Sequence, residues 1–136
     1  MMNTKGKRKP RELCKVVFRW GLLVGYMACI FTLSAIPGNF LPDVSAGDKL
    51  IHAGEFGLLA VLIYRVFGTH ATTWPRARLA LLSILGAILY GTTDEFHQIF
   101  VPQRATELAD VVADSLGATL AVWGWLKATA RWTWLQ

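Results

Sequence analysis

Cysteine is nearly absent from this chain: Cys14 and Cys29 are the two it has, one in a basic leader and one inside an apolar run. They have neither metal-ligand spacing nor a plausible disulfide geometry, so a zinc ribbon and a disulfide scaffold are excluded. Charge is scarce too, at 17% of 136 residues. A mean hydropathy of +0.40 goes with it. That balance does not describe a soluble domain of this size, and it rules out extended disorder. Internal repeats, low-complexity tracts and long linkers are missing, which leaves no room for a second domain. Ser34 and Ser115 lack triad context, so no nucleophile motif points to acyl-transfer chemistry.

What is present is apolar. Hydrophobic residues make up 54% of the chain, with six Trp, seven Phe, three Tyr and twelve Gly. Four segments, Val16–Ile36, Leu50–Phe67, Leu79–Phe100 and Leu108–Leu126, each approach the ~20 residues a helix needs to cross the bilayer core. Pro37-Gly38 and Pro42, Gly68 to Pro75, and Val101-Pro102-Gln103 break the segments with short loops. The expected fold is therefore all-α and polytopic, with four transmembrane helices. A basic leader covers 1–15, the membrane domain 16–126 and a tail 127–136. A cleaved signal peptide is the competing reading of the first segment, but its apolar run exceeds the ~7–15 residues of a signal core.

Charge orients the bundle. Seven of the fourteen cations fall in the first nineteen residues. With that end cytoplasmic, Arg65, Arg76, Arg78, Lys127 and Arg131 join them, and only Lys49 and Arg104 lie outside. Both termini are then cytoplasmic by the positive-inside bias. This placement also removes nucleic acid as a partner, since the basic residues flank a membrane segment. Trp20, Trp74, Trp123, Trp125, Trp132 and Trp134 gather at the same boundary, as an aromatic belt would. His70 sits alone in the cytoplasmic loop and is read as solvated.

The acids segregate the other way. Glu12 is cytoplasmic, whereas Asp43, Asp48, Glu55, Asp94, Glu95, Glu107, Asp110 and Asp114 lie in outer loops or outer helix ends. Asp48, His52 and Glu55 share one stripe of the second helix, and Glu55 lies about 10 Å below Asp48. Asp94, His97, Gln98 and Val101 share a face of the third, while Glu95 points sideways toward another helix. Asp110, Asp114, Gly117 and Ala121 share a face of the fourth, where small residues permit close approach. Arg104 is expected to pair with Glu107 or Asp110, or to grip an anion with its planar fork. Gly21-x-x-x-Gly25 is a weaker candidate for close packing. Intramembrane ionisable groups mark functional sites by default. The alternative is a polar core that fixes helix register.

These residues form a recognisable set. Asp48-Lys49-x-x-His52-x-x-Glu55, then Asp94-Glu95-x-His97-Gln98-x-x-x-Pro102-x-Arg104, then Asp110-x-x-x-Asp114-x-x-Gly117, with Ser34-x-x-Pro37 upstream, resemble the VanZ-like family of small polytopic bacterial membrane proteins. The resemblance covers roughly Thr32 to Gly117. It implies the bacterial cytoplasmic membrane and, through the namesake, a link to resistance to the glycopeptide teicoplanin. The chain departs from the family at Gln103, where glycine is frequent, at Asp114, where many members have asparagine, and at Ala121, where a second glycine is common.

Two functional readings follow. In one, an enzyme acts at the outer leaflet on a lipid-linked or envelope anionic substrate. Its candidate catalytic residues are His52, Glu55, Asp94 and Glu95; Asp48, His97, Gln98, Arg104, Asp110 and Asp114 bind substrate. A divalent ion held by carboxylates and His52 is a variant of this reading, without a sharp metal spacing. In the other, a non-catalytic module recognises a lipid head group or drug, and transport by so short a chain would need an oligomer. No cofactor is called for.

Overall fold

The computed structural model describes residues 10–40 and 47–133, the side chains of 131–133 excepted. Asp43, Pro42, Trp134 and the first nine residues with their cations lie outside the described residues, as do the side chains of Arg131 and Trp132. Among the described residues there are four α-helices: α1 Pro10–Ser34, α2 Asp48–His70, α3 Arg76–Gln98 and α4 Leu108–Thr133, with one 3-10 turn at Gly38–Phe40. Strands are absent from the described residues.

Helix ends follow local chemistry. The described part of α1 begins at Pro10, which is already helical. The first helix thus already covers part of the leader, at least six residues before the apolar run. Pro75, with φ −59° and ψ 143°, stops the preceding loop and launches α3. Asp48 and Asp110 sit in the first turns of α2 and α4, where a negative charge complements the helix dipole. The fourth helix runs to Thr133, so helical structure continues into the segment expected to be a tail.

Three of the helices, α1, α2 and α3, are long and apolar enough to cross a membrane, with mean hydropathies of 1.8, 1.6 and 1.3. The fourth is as long but carries Asp110 and Asp114. The second helix is the centre of the bundle and packs against all three others. Its Phe56, Leu59, Ala60, Leu62, Ile63 and Val66 are buried, together with Ala87 of α3 and Ala118 and Val122 of α4. The outward faces are apolar instead: Leu81, Leu85 and Leu89 on α3 and Val112, Leu116 and Leu120 on α4 are exposed.

Pairwise contacts fix the directions. Lys49 meets Asp110 and His52 meets Asp114, so α2 and α4 run parallel. Tyr26 donates to the Glu55 carbonyl and Arg19 to that of Arg65, so α1 runs antiparallel to α2. Tyr90 donates to the Met27 carbonyl and Ser34 to Asp94, so α3 runs parallel to α1. The ends of α1 and α3 and the starts of α2 and α4 therefore meet at one end of the bundle, where the acids lie.

Small residues set how close α2 and α4 come. A Cβ on Gly117 would run into the Ala53 carbonyl, and one on Gly57 would lie 3.1 Å from the Ala121 Cβ. The expected small-residue face of α4 is thus in direct contact with α2. By contrast, Gly21 and Gly25 have nothing within 4 Å, so that pair makes no close approach.

Candidate functional site

The acid-rich end is built in three parts. The first joins α2 to α4: His52 Nδ1 lies 3.1 Å from Asp114 Oδ1, and the imidazole stacks on Phe56 with planes 8° apart. Asp114 is 1% exposed, and its other oxygen, Oδ2, is buried without a hydrogen-bond partner. Gly91 makes room for it, since a Cβ there would come 2.6 Å from that oxygen. One turn toward the end of the bundle, Lys49 Nζ bridges Glu107 and Asp110, 2.6 Å from each.

The second part joins α1 to α3. Asp94 is buried and both its oxygens are engaged: Ser34 Oγ donates to Oδ1 at 2.7 Å and Gln98 Nε2 to Oδ2 at 2.9 Å. His97 Nδ1 lies 3.5 Å from the same Ser34 hydroxyl, and its ring centroid is 4.4 Å from that of Phe31. Serine, histidine and carboxylate meet here, but the hydroxyl stands between the other two rather than the imidazole. That is not the relay of a serine nucleophile.

Glu95 and Glu55 fill the third part. Glu95 turns away from Asp94 toward α4, as its 100° offset predicts, and is 8% exposed. The backbone of Glu107, at the start of α4, hydrogen-bonds to it, and Asp110 and His52 are the charged side chains acting on it most strongly. Its Oε2 nevertheless has no partner. Glu55 is half-buried, and the charges around it come from both other parts: His52, Asp94, Asp114 and Arg104.

Arg104 corrects an expectation. Instead of pairing with Glu107 or Asp110, its Nε donates to the Ile36 carbonyl at 3.1 Å and Nη2 to the Leu33 carbonyl at 2.9 Å. The fork caps one carbonyl in the last turn of α1 and one just beyond it, where the helical ladder has run out. Lys49 makes the acid contacts instead. The difference is positional: Lys49 starts α2 beside the start of α4, while Arg104 lies in the α3–α4 loop under the end of α1. That loop turns at Gln103, the one described non-glycine residue with positive φ, 58°. A glycine would adopt that φ without strain.

Ser34 and Lys49 are the site residues that sequence reasoning underweighted. Each stood in a quoted motif, yet only the tertiary partner reveals its part. His70 is exposed, as expected, but it closes α2 rather than standing alone in a loop, and Trp20 Nε1 of α1 donates to its Nε2 at 2.9 Å. Near it, at the end opposite the acids, Phe67, His70, Ala71, Thr73, Trp74 and Leu82 line a cavity of about 420 Å³. Tryptophan–cation pairs mark that same end: Arg78 lies 4.0 Å from the Trp74 ring centre, and Arg65 and Lys127 lie 5.7 Å from those of Trp125 and Trp123.

Chemically, the acid-rich end holds one imidazole–carboxylate pair able to exchange a proton, two buried carboxylate oxygens without partners, and a group of possible metal ligands. One ligand atom each from Asp48, His52 and Asp110 lie within 4.8 Å of one another.

The comparisons agree with the motifs. The family described as VanZ/LLP1 matches residues 13–130. The chain is also similar to uncharacterized protein C11E3.10 of the fission yeast Schizosaccharomyces pombe, with 36% identity over 80 residues, 58% of this chain and 46% of that protein. It thus spans less than half the length of that relative. No solved structure matches the chain significantly.

Proposed function

This chain belongs to the VanZ/LLP1 family, and we propose from that premise that it crosses the bacterial cytoplasmic membrane four times, with both termini cytoplasmic. Its acid–histidine end then opens on the outer side. Twelve of fourteen cations fall on the cytoplasmic side in this orientation. The exposed Val112, Leu116, Leu120 and Trp123 give α4 a lipid-compatible stripe despite its two acids, which face inward.

At that outer end the protein binds the polar head of a lipid-linked or cell-envelope molecule, and the His52–Asp114 pair handles a proton of the bound group. The observation that carries this reading is Asp114: a carboxylate 1% exposed, in hydrogen-bond contact with His52 and with one oxygen unpaired. A carboxylate kept in that state within an apolar bundle costs several kcal/mol, about what a ligand would have to offset. A bundle-locking residue has no need of the free oxygen.

The fission yeast relative favours a membrane lipid or a lipid-linked head group, since it belongs to a eukaryote. Glycopeptide resistance is then a consequence of such binding in a walled bacterium rather than the activity itself. Native mass spectrometry of the chain in detergent tests the reading. Bound lipid-linked species should appear and should be lost in His52→Gln and Asp114→Ala. Equal retention by both variants contradicts it.

A further inference from the structure

The acid excess at the outer end raises a physical problem. Asp48, Glu95, Glu107, Asp110 and Asp114 surround one lysine and one histidine, while Arg104 is committed to backbone carbonyls. An anionic head group entering this field would be repelled unless a cation came with it.

We propose that Asp48, His52 and Asp110 form a divalent-cation site, and that the cation receives the anionic group of the bound lipid. The second half rests on the function proposed above; the first does not. One ligand atom from each residue lies within 4.8 Å of the others. Opposite ligands with bonds of ~2.0–2.2 Å stand ~4.0–4.4 Å apart, so small side-chain rotations, without movement of the helices, bring the three onto one ion. Asp48 and His52 stand four apart on α2, and Asp110 comes from α4, which runs parallel beside it.

Two independent features point to a missing cation. Asp114 contacts His52 through Nδ1 at 3.1 Å, the arrangement by which a carboxylate fixes the tautomer of a metal-binding histidine and leaves Nε2 as the donor. In addition, Glu95 is 8% exposed, its Oε2 is unpaired, and it feels Asp110 and His52 more than any other side chain. A buried carboxylate oxygen without a partner, in the field of two of the three ligands, is where a further ligand, or a water on the ion, would be expected. Two carboxylates and one imidazole suit manganese or zinc, with positions left for water or a phosphate. Lys49 holds Asp110 by one oxygen and competes with the ion for its charge.

The test uses the full chain, purified in detergent and stripped with a chelator, with no lipid added. Mn2+ is titrated and free ion is read by electron paramagnetic resonance; Zn2+ is titrated by calorimetry. One equivalent should bind per chain. Asp48→Asn and Asp110→Asn should each weaken binding tenfold or more, Lys49→Met should tighten it, and Glu12→Gln should leave it unchanged. Asp48 is half-buried at the first residue of α2, so its amide variant tests the ligand without disturbing the core. A separate arm measures the thermal shift of the wild type on adding Mn2+, which should be positive and absent in Asp48→Asn. No saturable binding at millimolar ion, or equal binding by both amide variants and the wild type, overturns the site. If the ion binds but chelator leaves lipid retention unchanged, the link between ion and lipid fails while the site stands.

Discussion

Gly117→Ala is the sharpest perturbation of this fold, because it adds one methyl at the point where α2 and α4 touch. The new Cβ would fall 2.6 Å from the Ala53 Cα and closer still to its carbonyl, where ordinary contact begins at 3.4 Å. The neighbour is backbone, so no rotamer change relieves it, and the helices must part by roughly 1 Å in a close-packed interior. Overpacking of this kind costs about 1–3 kcal/mol. One turn away, the same separation stretches the 3.1 Å contact of His52 with Asp114. A charged hydrogen bond adds about 1.5–3 kcal/mol when lost. Against this stands the ~0.5–1 kcal/mol that alanine gains over glycine inside a helix. The net expectation is a loss of about 1.5–5.5 kcal/mol. It can be read by reversible unfolding in mixed detergent micelles, followed through tryptophan fluorescence. Gly54→Ala is the control, since nothing lies within 4 Å of its Cβ position, and it should be neutral or slightly stabilising. Wild-type stability of Gly117→Ala, or an equal loss in Gly54→Ala, would refute the close α2–α4 contact.

Arg104→Lys should lower stability by about 1–2 kcal/mol in the same unfolding assay, because a point charge cannot reach the Ile36 and Leu33 carbonyls together; full stability in the lysine variant would mean the fork is dispensable. Gln103→Gly should gain up to ~1 kcal/mol by relieving a positive φ, whereas Gly38→Ala should lose stability, since its Cβ would meet the Gln103 carbonyl. His52→Leu should cost about 3 kcal/mol by leaving Asp114 buried and uncompensated, and adding Asp114→Leu should recover most of it; a strictly additive double mutant would show that the two side chains are not coupled.

The helices were legible because hydropathy and proline breaks carry them, and their ends moved by only a few residues, apart from α1 and α4. The first is already helical at Pro10, where the described residues begin, and the fourth runs on past Leu126, since basic and aromatic residues at a membrane boundary do not stop a helix. The faces of the site were legible for the same reason: a spacing of three or four puts 94 with 98 and 110 with 114 whatever the tertiary fold. Partners were not. Lys49 and Arg104 are both long cations near the same acids, and which one reaches them depends on α2 and α4 running parallel in contact. Gly57 and Gly91 read as ordinary helix glycines until a neighbouring helix supplies Ala121 or Asp114 to press against them. Trp20 and His70 are fifty residues apart, and nothing local announces their hydrogen bond.

In the proposed orientation the acid–histidine end faces outward, and a labelling experiment tests that placement directly. Cys14 and Cys29 are exposed and must first be replaced by serine. Single cysteines are then placed at Asp48 and Glu107, at the mouth of the site, and at Thr73 in the α2–α3 loop, and intact cells are treated with a membrane-impermeant maleimide. Cysteines at 48 and 107 should label in intact cells, and the one at 73 only after permeabilisation. Labelling of 73 from outside, with 48 and 107 protected until the membrane is opened, would contradict the orientation and with it the outward-facing site.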